Sequence, residues 1–487
     1  MKVLTSNQIR FAEKSAVEHG LFSYAELMKK AGGAVFDEIL RRYDIVGKKI
    51  LIIAGCGNNG GDGLVIAAKL SGAGAFVTMC YPEGRPDTET ARQFSAAVER
   101  LPVCKAVTDD YDFYIDALFG TGFNRLLSQE TAYLVDSVNA RSGVKVAVDL
   151  PSGVYCDGGM AQTAFKADLT VTFIGYKLCQ LLSPTSSLCG EICFCSLDIS
   201  TENDYAYNII LPPKAGKFDK NSNKGTFGTA LLLCGSYGMC GAEILSAKAA
   251  VTSGAGIVKA IVCDKNYTAF TSAVPEAVTV PVETAMSGAP VIYDKTFLSS
   301  VSGAKSLLIG CGLGRSDEAR AAVKKALRYT NIPVVIDADG INAVADDISI
   351  LKNIDSDIIL TPHPGEMARL LNTTVEDVEA NRVNCAKRFA CDNGCTVVLK
   401  GANTVVAAPD GEVFFNITGN YGMAKGGSGD VLSGIIVALL ANGYDALSAT
   451  LTAVYVHGKA GDAAAEKYTK RTMTPSDIIE ELKFISF

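Results

Sequence analysis

Lys49-Ile50-Leu51-Ile52-Ile53-Ala54 runs through Gly55 into Cys56-Gly57-Asn58-Asn59-Gly60-Gly61-Asp62-Gly63, and Leu64 to Leu70 follow with helical spacing. The first run is continuously apolar and rich in isoleucine, which suits a strand buried on both faces. The glycines and carboxamides after it suit a turn. Strand, turn and helix in that order form the repeating unit of a doubly wound α/β sheet. The rhythm continues at Phe76 to Cys80, Phe113 to Leu118, Val144 to Leu150 and Leu169 to Phe173. Upstream, Thr5 to Arg42 has helical apolar spacing, with Ser6 and Ser23 placed to cap it.

The first half, residues 1–205, is therefore predicted as a Rossmann-like three-layer α/β domain. Periodicity then fades into polar, proline-containing sequence, Leu211-Pro212-Pro213-Lys214 and Asp219-Lys220-Asn221-Ser222-Asn223, so residues 206–223 are expected to link the halves. A second three-layer α/β domain is predicted over residues 224–487. Its strands are Thr229 to Cys234, Ile257 to Cys263, Ser306 to Ile309, Val334 to Asp337, Ile358 to Thr361 and Val397 to Leu399, with helices such as Glu318 to Arg328 and Val375 to Ala390 between them. Pro409-Asp410-Gly411 marks a hairpin turn.

At 487 residues and 48% apolar composition the chain can bury more than one ordinary core. Its amino terminus lacks the unbroken apolar core of a secretory signal, and no run reaches the roughly 18 apolar residues of a membrane span. A cytoplasmic protein that engages no membrane is expected. The 15 cysteines are odd in number and sit mostly in strand-like runs, which suits reduced thiols acting as small hydrophobes. Cys189-Gly190-Glu191-Ile192-Cys193-Phe194-Cys195 alternates like a strand and lacks a zinc spacing. A net charge of −7 without a dense basic block argues against a nucleic-acid groove.

The strongest chemical signal lies near the carboxyl end. Gly419-Asn420-Tyr421-Gly422-Met423-Ala424-Lys425-Gly426-Gly427-Ser428-Gly429-Asp430 runs into the apolar stretch Val431 to Leu440. A helix's first turn leaves about four N–H groups unpaired and carries roughly half a positive charge, so a glycine loop opening a helix is an anion site. A carboxylate beside bound phosphate is repelled by it, yet suits a base that takes or steers the proton of an attacking hydroxyl. Asp430 is the candidate base, and phosphoryl transfer the candidate chemistry. Further polar loops leave other strand ends: Gly310-Cys311-Gly312-Leu313-Gly314-Arg315, Asp337-Ala338-Asp339-Gly340, Thr361-Pro362-His363-Pro364-Gly365-Glu366 and Lys400-Gly401-Ala402-Asn403-Thr404. Ligands of open α/β sheets gather at such ends. His363, one of 3 histidines, is held between prolines and read as a substrate contact rather than a metal ligand. Lys400 follows a strand and precedes a glycine, which fixes its base near a nucleotide phosphate. A flexible turn, a structural histidine and a surface lysine are the plainer alternatives.

These loops, in this order, together with Lys224-Gly225, Gly235-Ser236-Tyr237 and Gly241-Ala242, resemble the ribokinase-like superfamily, and more closely its ADP/ATP-dependent NAD(P)H-hydrate dehydratase branch. The resemblance runs from Lys224 to Ile485. It implies that Ala242, Gly314, His363 and Asp430 contact the hydrate, that Lys400, Gly401, Ala402, Asn403, Thr404 and Gly429 contact the nucleotide, and that ADP is the cosubstrate with Mg2+. The Mg2+ ligands are not legible. Two departures stand out, Cys311 where the family often has proline and Ser428 where it has threonine; neither removes a backbone donor.

In the first half, Asp116-Ala117-Leu118-Phe119-Gly120-Thr121-Gly122 and Asp149-Leu150-Pro151-Ser152-Gly153 each leave a predicted strand, as the Asn58 loop does. The loop lacks the Lys-Ser/Thr ending of a P-loop and the spacing of a dinucleotide fingerprint, so alone it is a polar turn. With the preceding Leu27-Met28-Lys29-Lys30-Ala31-Gly32 segment, these ends resemble the NAD(P)H-hydrate epimerase family over residues 1–205. The resemblance implies a K+ ion at Asn59, Asp116 and Ser152, whose hard oxygens suit an alkali cation. It further implies substrate binding by Asn58, Asn59, Gly60, Gly61 and Asp62, by Gly120, Thr121, Gly122, Phe123, Asn124, Arg125 and Leu126, and by Asp149, the candidate acid/base. Turn-forming Asn and Asp side chains are the plainer alternative.

Joined, the two resemblances imply a repair enzyme for hydrated nicotinamide cofactors, acting on small molecules and on neither nucleic acid nor membrane, and assembling as a homo-oligomer. The alternative is a ribokinase-like vitamin or hydroxymethyl kinase with an accessory ligand-binding first domain, since the same anion loop and aspartate serve both outcomes.

Overall fold

Alternating residues of the first sheet feed opposite apolar layers, which is what gives the first half its three-layer build. The computed structural model describes residues 1–201, 206–214 and 220–487, and divides into a unit Met1–Asn208 and a unit Ile209–Phe487. The expected boundary after residue 205 adjoins residues outside those described, and residues 215–219 of the expected linker lie outside them. In the first unit the strands are β1 (Lys2–Val3), β2 (Lys49–Ala54), β3 (Phe76–Cys80), β4 (Val103–Cys104), β5 (Phe113–Ala117), β6 (Val144–Val148), β7 (Leu169–Phe173) and β8 (Glu191–Cys195), with β9 (Tyr207–Ile209) at the boundary. Seven of them form one sheet in the order β4-β3-β2-β5-β6-β7-β8, parallel throughout. Ile50, Ile52, Ile115 and Val146 enter one core; Leu51, Ile53, Tyr114 and Ala147 enter the other. Each such side chain contributes about 1.5–3 kcal/mol on burial, so both faces must be covered. β1 pairs antiparallel with β9, in a stretch where periodicity predicts no strand. At two and three residues, with Lys2 and Asn208 among them, these strands offer no unbroken apolar run.

The helix after β2 differs from expectation. It starts at Asn58, with Gly57 as its N-cap, and runs to Gly72, so Gly60, Gly61 and Gly63 are helical rather than part of a loop. Glycine disfavours helix by about 1 kcal/mol, and here close packing outweighs that. A Cβ on Gly60 would lie 1.8 Å from the Gly55 carbonyl oxygen, one on Gly61 2.4 Å from Met28 Cε, and one on Gly63 2.8 Å from Ala117 Cβ. Gly60→Ala is accordingly expected to destabilise the first unit by about 3 kcal/mol, measured as a lower denaturant midpoint; an unchanged midpoint contradicts this packing. The amino-terminal stretch is two helices, Ser6–Glu18 and Tyr24–Arg42. Ser23 caps the second as expected, but Thr5 rather than Ser6 caps the first. β8 confirms the strand pattern of the Cys193 segment, and its cysteines, like the rest, are free thiols.

The second unit contains β10 (Thr229–Leu233), β11 (Ile257–Cys263), β12 (Val278–Val282), β13 (Ser306–Ile309), β14 (Val334–Ile336), β15 (Ile358–Leu360), β16 (Thr396–Leu399), β17 (Val405–Ala407) and β18 (Val413–Phe415). Their order is β18-β17-β16-β15-β14-β13-β10-β11-β12. The strands from β16 to β12 in that order run parallel, and the hairpin expected at Pro409 joins the antiparallel β17 and β18. β12 was hidden by Pro281, which an edge strand tolerates. The expected helix Val375 to Ala390 is two helices, Val375–Ala380 and Arg382–Asn393, broken at Asn381 (φ −134°, ψ 37°). Ser428–Ala441 is the central helix, buried from Val431 to its end, and packed with Leu232, Val262 and Leu308 of the sheet. Among the described residues no helix is long and apolar enough to cross a membrane.

Candidate active sites

In the second unit the expected loops meet at one end of the parallel strands. Gly427 caps the central helix at φ +100°, and a Cβ there would lie 2.6 Å from Leu245 Cδ1, so only glycine fits. Ser428, Gly429 and Asp430 then form the first turn; Ser428 N donates to Lys425 O at 3.2 Å, while the Gly429 and Asp430 N–H groups have no carbonyl one turn back among the described residues. Asp430 is pushed up to about 7, chiefly by burial and then by the nearby Asp337 charge, with Cys311 and Lys400 opposing. A carboxylate poised near neutrality and set among phosphate donors is suited to accept a proton.

Lys400 Nζ donates to Asp337 Oδ1 at 2.8 Å and lies 4.0 Å from Glu366 Oε2. It would sit 3.2 Å from a Cβ on Gly429, which places this cation at the anion loop. Ser433 donates to Asp337 Oδ2 at 2.7 Å. Burial works against ionisation of Asp337, but Lys400, Ser433 and Thr361 more than offset it, so its carboxyl lies below the ordinary value. His363 caps the helix Pro364–Leu371. Its Nδ1 accepts from Gly365 N at 3.0 Å, and its Nε2 is 3.3 Å from Glu366 Oε1. Burial, then Lys400 and Arg369, hold His363 below its usual value; with Nδ1 accepting, the neutral ring carries its proton on Nε2, which faces Glu366. Gly314 N donates to Asp339 Oδ2 at 2.8 Å, and a Cβ on neighbouring Gly312 would meet Ala242 Cβ at 2.9 Å. Ala242, Gly314, His363, Lys400, Gly429 and Asp430 thus belong to one strand-end cluster. The turn from Gly401 to Thr404 is held instead by its own bond, Thr404 Oγ1 to Gly401 O at 3.1 Å, and by Arg382, whose guanidinium a Cβ on Gly401 would meet at 2.8 Å. Ala402 and Asn403 complete that turn, Asn403 at φ +52°.

Cys311, Asp337 and Asp430 bring ligand atoms within 4.8 Å of one another. This is not a Mg2+ cage: Cys311 offers soft sulfur, and Asp337 is already occupied by Lys400 and Ser433.

In the first unit Ser152 Oγ donates to Asp116 Oδ1 at 2.6 Å and Ser152 N to Asp116 Oδ2 at 2.7 Å. Phe119 N donates to Ser152 Oγ at 3.0 Å, and Asn59 Nδ2 to Phe119 O at 3.0 Å. The three expected K+ ligands are therefore joined through Phe119. Asp116 is fully buried, has no cationic partner among the described residues, and is pushed up to about 6 by burial despite bonds from Ser152 and Leu118. An all-oxygen donor set around an uncompensated buried carboxyl fits a hard monovalent cation. Asn58 to Asp62 form the first turn of their helix. Gly120 abuts Asn59, since a Cβ there would meet Asn59 Oδ1 at 3.7 Å, and Gly122 abuts Arg10 Nη2 at 3.7 Å by the same measure. Thr121, Asn124 and Leu126 lie partly or fully exposed on this loop. Phe123 is buried and stacks on Phe119 at 4.4 Å, so only its backbone is available. Arg125 reaches Glu83 at 3.6 Å.

Asp149 stands at φ +66° beside Lys177, whose side chain is fully buried. Burial, then Asp149 and Glu13, push Asp62 well above its usual value; burial, then Asp149, push Glu13 up to about 7. Lys177, Glu13 and Arg10 were missed because a lone charged residue on a helix or in a bend has no spacing to betray it. Asp337 was visible only as part of a polar loop.

Comparisons with known proteins cover both units. The NAD(P)H-hydrate dehydratase family profile matches residues 230–483, and the profile of the YjeF-related protein N-terminus matches residues 24–179. The chain is 33% identical to the bifunctional NAD(P)H-hydrate repair enzyme of Moorella thermoacetica, over 100% of this chain and 96% of that protein. It is 32% identical to that of Escherichia coli, over 99% and 93%. A solved ADP/ATP-dependent NAD(P)H-hydrate dehydratase from Bacillus subtilis, co-crystallized with ATP/Mg2+, is 30% identical and covers 57% of this chain and 93% of its own, with a TM-score of 0.48.

Proposed function

The chain belongs to the bifunctional NAD(P)H-hydrate repair enzymes, and on that premise we propose that each of its units carries one of the two activities. The first unit interconverts the R and S epimers at C6 of the hydrated ring, and the second dehydrates the S epimer at the expense of ADP. The carrying observation is Asp430, poised near neutrality in the first turn of a glycine-capped helix beside Lys400.

In the second unit the 6-hydroxyl attacks the terminal phosphoryl group of ADP while Asp430 takes its proton, giving AMP and a phosphate ester. The Gly429 and Asp430 N–H groups and Lys400 stabilise the charge that spreads over the phosphoryl oxygens. Phosphate then leaves with the C6–O electron pair, a ring proton is lost, and the dihydropyridine returns. Neutral His363, Gly314 and Ala242 orient the hydrate; the Gly401 to Thr404 turn receives the nucleoside. Magnesium on the nucleotide would supply charge neutralisation.

In the first unit the C6 hydroxyl takes a proton from Asp149 and departs as water, and water re-adds to the opposite face with release of a proton that restores the Asp149 acid. Asp149 faces the cationic ring, Asn58 to Asp62 and Gly120 to Leu126 hold the phosphates and sugars, and Asn59, Asp116 and Ser152 would hold K+, which offsets the substrate's charge. The domain limits proposed are residues 1–205 and 224–487, in a cytoplasmic homo-oligomer.

The test is product analysis. With S hydrate and ADP, absorbance of the reduced cofactor should return with AMP and phosphate in equal amounts; an accumulating phosphorylated product would instead indicate a kinase. The pH profile follows from Asp430. Its active, ionised form is present above about 7 and is lost as pH falls through that value. Dehydration kcat/KM for the hydrate should therefore fall about tenfold per unit below pH 7 and level off above it. A flat profile across that range would exclude Asp430 as the base.

A further inference from the structure

The Asp149 carboxylate is held from one side only. Its Oδ1 accepts from Lys177 Nζ, from Thr172 Oγ1 at 3.2 Å and from Phe173 N at 3.3 Å, whereas its Oδ2 receives no donor among the described residues. The Asp149 side chain is 15% exposed and that of Lys177 0%, so the second oxygen is the one available to a ligand. Lys177 Nζ also donates to Thr172 Oγ1 at 2.6 Å and to Phe173 O at 3.0 Å. An ammonium has three donors, and all are taken within the protein. Lys177 therefore has neither the access nor a proton to offer a substrate.

The backbone is clamped as well. Asp149 lies in the left-handed region, which a non-glycine residue keeps only where surroundings impose it. Gln180 Nε2 donates to Asp149 O at 2.9 Å and to Thr172 Oγ1 at 3.0 Å, and Gln180 Oε1 accepts from Lys177 N at 3.0 Å. Thr172 Oγ1 thus donates once and accepts twice, its full capacity. Burying an ammonium and a carboxylate for stability alone is poor economy, since apolar residues of like volume do as well or better. Here Asp149 leaves β6 in the loop that carries Ser152, and β6 pairs with β5, which carries Asp116.

We propose that Lys177 is a positioning residue for the first unit's reaction, which fixes Asp149 by one oxygen and thereby presents the other to the reacting ring. The inference rests on the epimerase reading of that unit. Lys177 does not touch substrate; it sets where the negative charge opposite the cationic ring stands, while Glu13 and Asp62 flank that charge. Misplacing such a group by about 1 Å costs on the order of a hundredfold in rate.

The test compares Lys177→Met and Lys177→Ala with the wild-type full chain, following conversion of purified R hydrate to S by chromatography without ADP. Lys177→Met is expected to lower epimerisation kcat about a hundredfold with KM changed less than about threefold. Lys177→Ala is expected to fall similarly and to recover at least about tenfold with added ethylammonium, which refills the cationic site, but not with isosteric ethanol. Dehydration of purified S hydrate should be unchanged in both. Epimerisation within about threefold of wild type in Lys177→Met, or no response to the amine, overturns the proposal. So does loss of first-unit folding in both variants, which would make Lys177 a core residue rather than a positioning one. Absence of epimerisation in the wild-type chain would instead reject the epimerase reading itself.

Discussion

Asp430→Asn is expected to lower the dehydration kcat about a thousandfold while leaving the affinity for ADP within a few-fold of wild type. Asparagine keeps the shape and leaves every first-turn N–H group in place, so the anion loop survives. What is lost is the acceptor for the hydroxyl proton, worth roughly 10²–10⁴ in rate when well placed. The low exposure that pushes Asp430 up to about 7 is what makes it effective: an ordinary surface carboxylate would be too weak a base at neutral pH. Removing its charge also relieves repulsion with phosphate, so ADP binding should hold or tighten slightly. Single-turnover kinetics beside calorimetric ADP titration separates the two effects. Equal loss of binding and turnover would mean that Asp430 merely shapes the loop.

Lys400→Met is expected to impair the second unit in two ways. Asp337, 1% exposed, would keep Ser433 but lose its only cationic partner among the described residues. Breaking a buried pair by removing one member costs about 3 kcal/mol, because the remaining charge stays desolvated. That should lower the unit's unfolding midpoint at neutral pH, and nucleotide affinity should fall with the loss of the cation beside Gly429. Lys400→Met/Asp337→Ser should recover most of the stability and none of the affinity. Failure to separate in this way would mean that Lys400 serves Asp337 alone.

The legible parts of the chain were those with a physical repeat. Strands such as Lys49–Ala54, Ile257–Cys263 and Ser306–Ile309 are unbroken apolar runs, because both faces of a parallel sheet are covered. The Asp430 loop was legible since glycines before an apolar helix have few other uses. Gly60, Gly61 and Gly63 misled for the same reason that glycine usually informs. Local propensity reads them as a turn, yet in the structure they let one helix press against Gly55, Met28 and Ala117. Asp337, Lys177 and Glu13 act through partners distant in sequence, so no local pattern carries them. Asn59, Asp116 and Ser152 lie between these cases: the strand ends were foreseen, but the link through Phe119 requires the fold.

The claim that one chain holds both activities is tested most directly by supplying pure R hydrate with excess ADP and following the return of reduced-cofactor absorbance. Complete recovery is predicted, at a rate that exceeds spontaneous epimerisation and scales with enzyme concentration. Recovery that proceeds only at the spontaneous rate, with S hydrate still consumed rapidly, would contradict it.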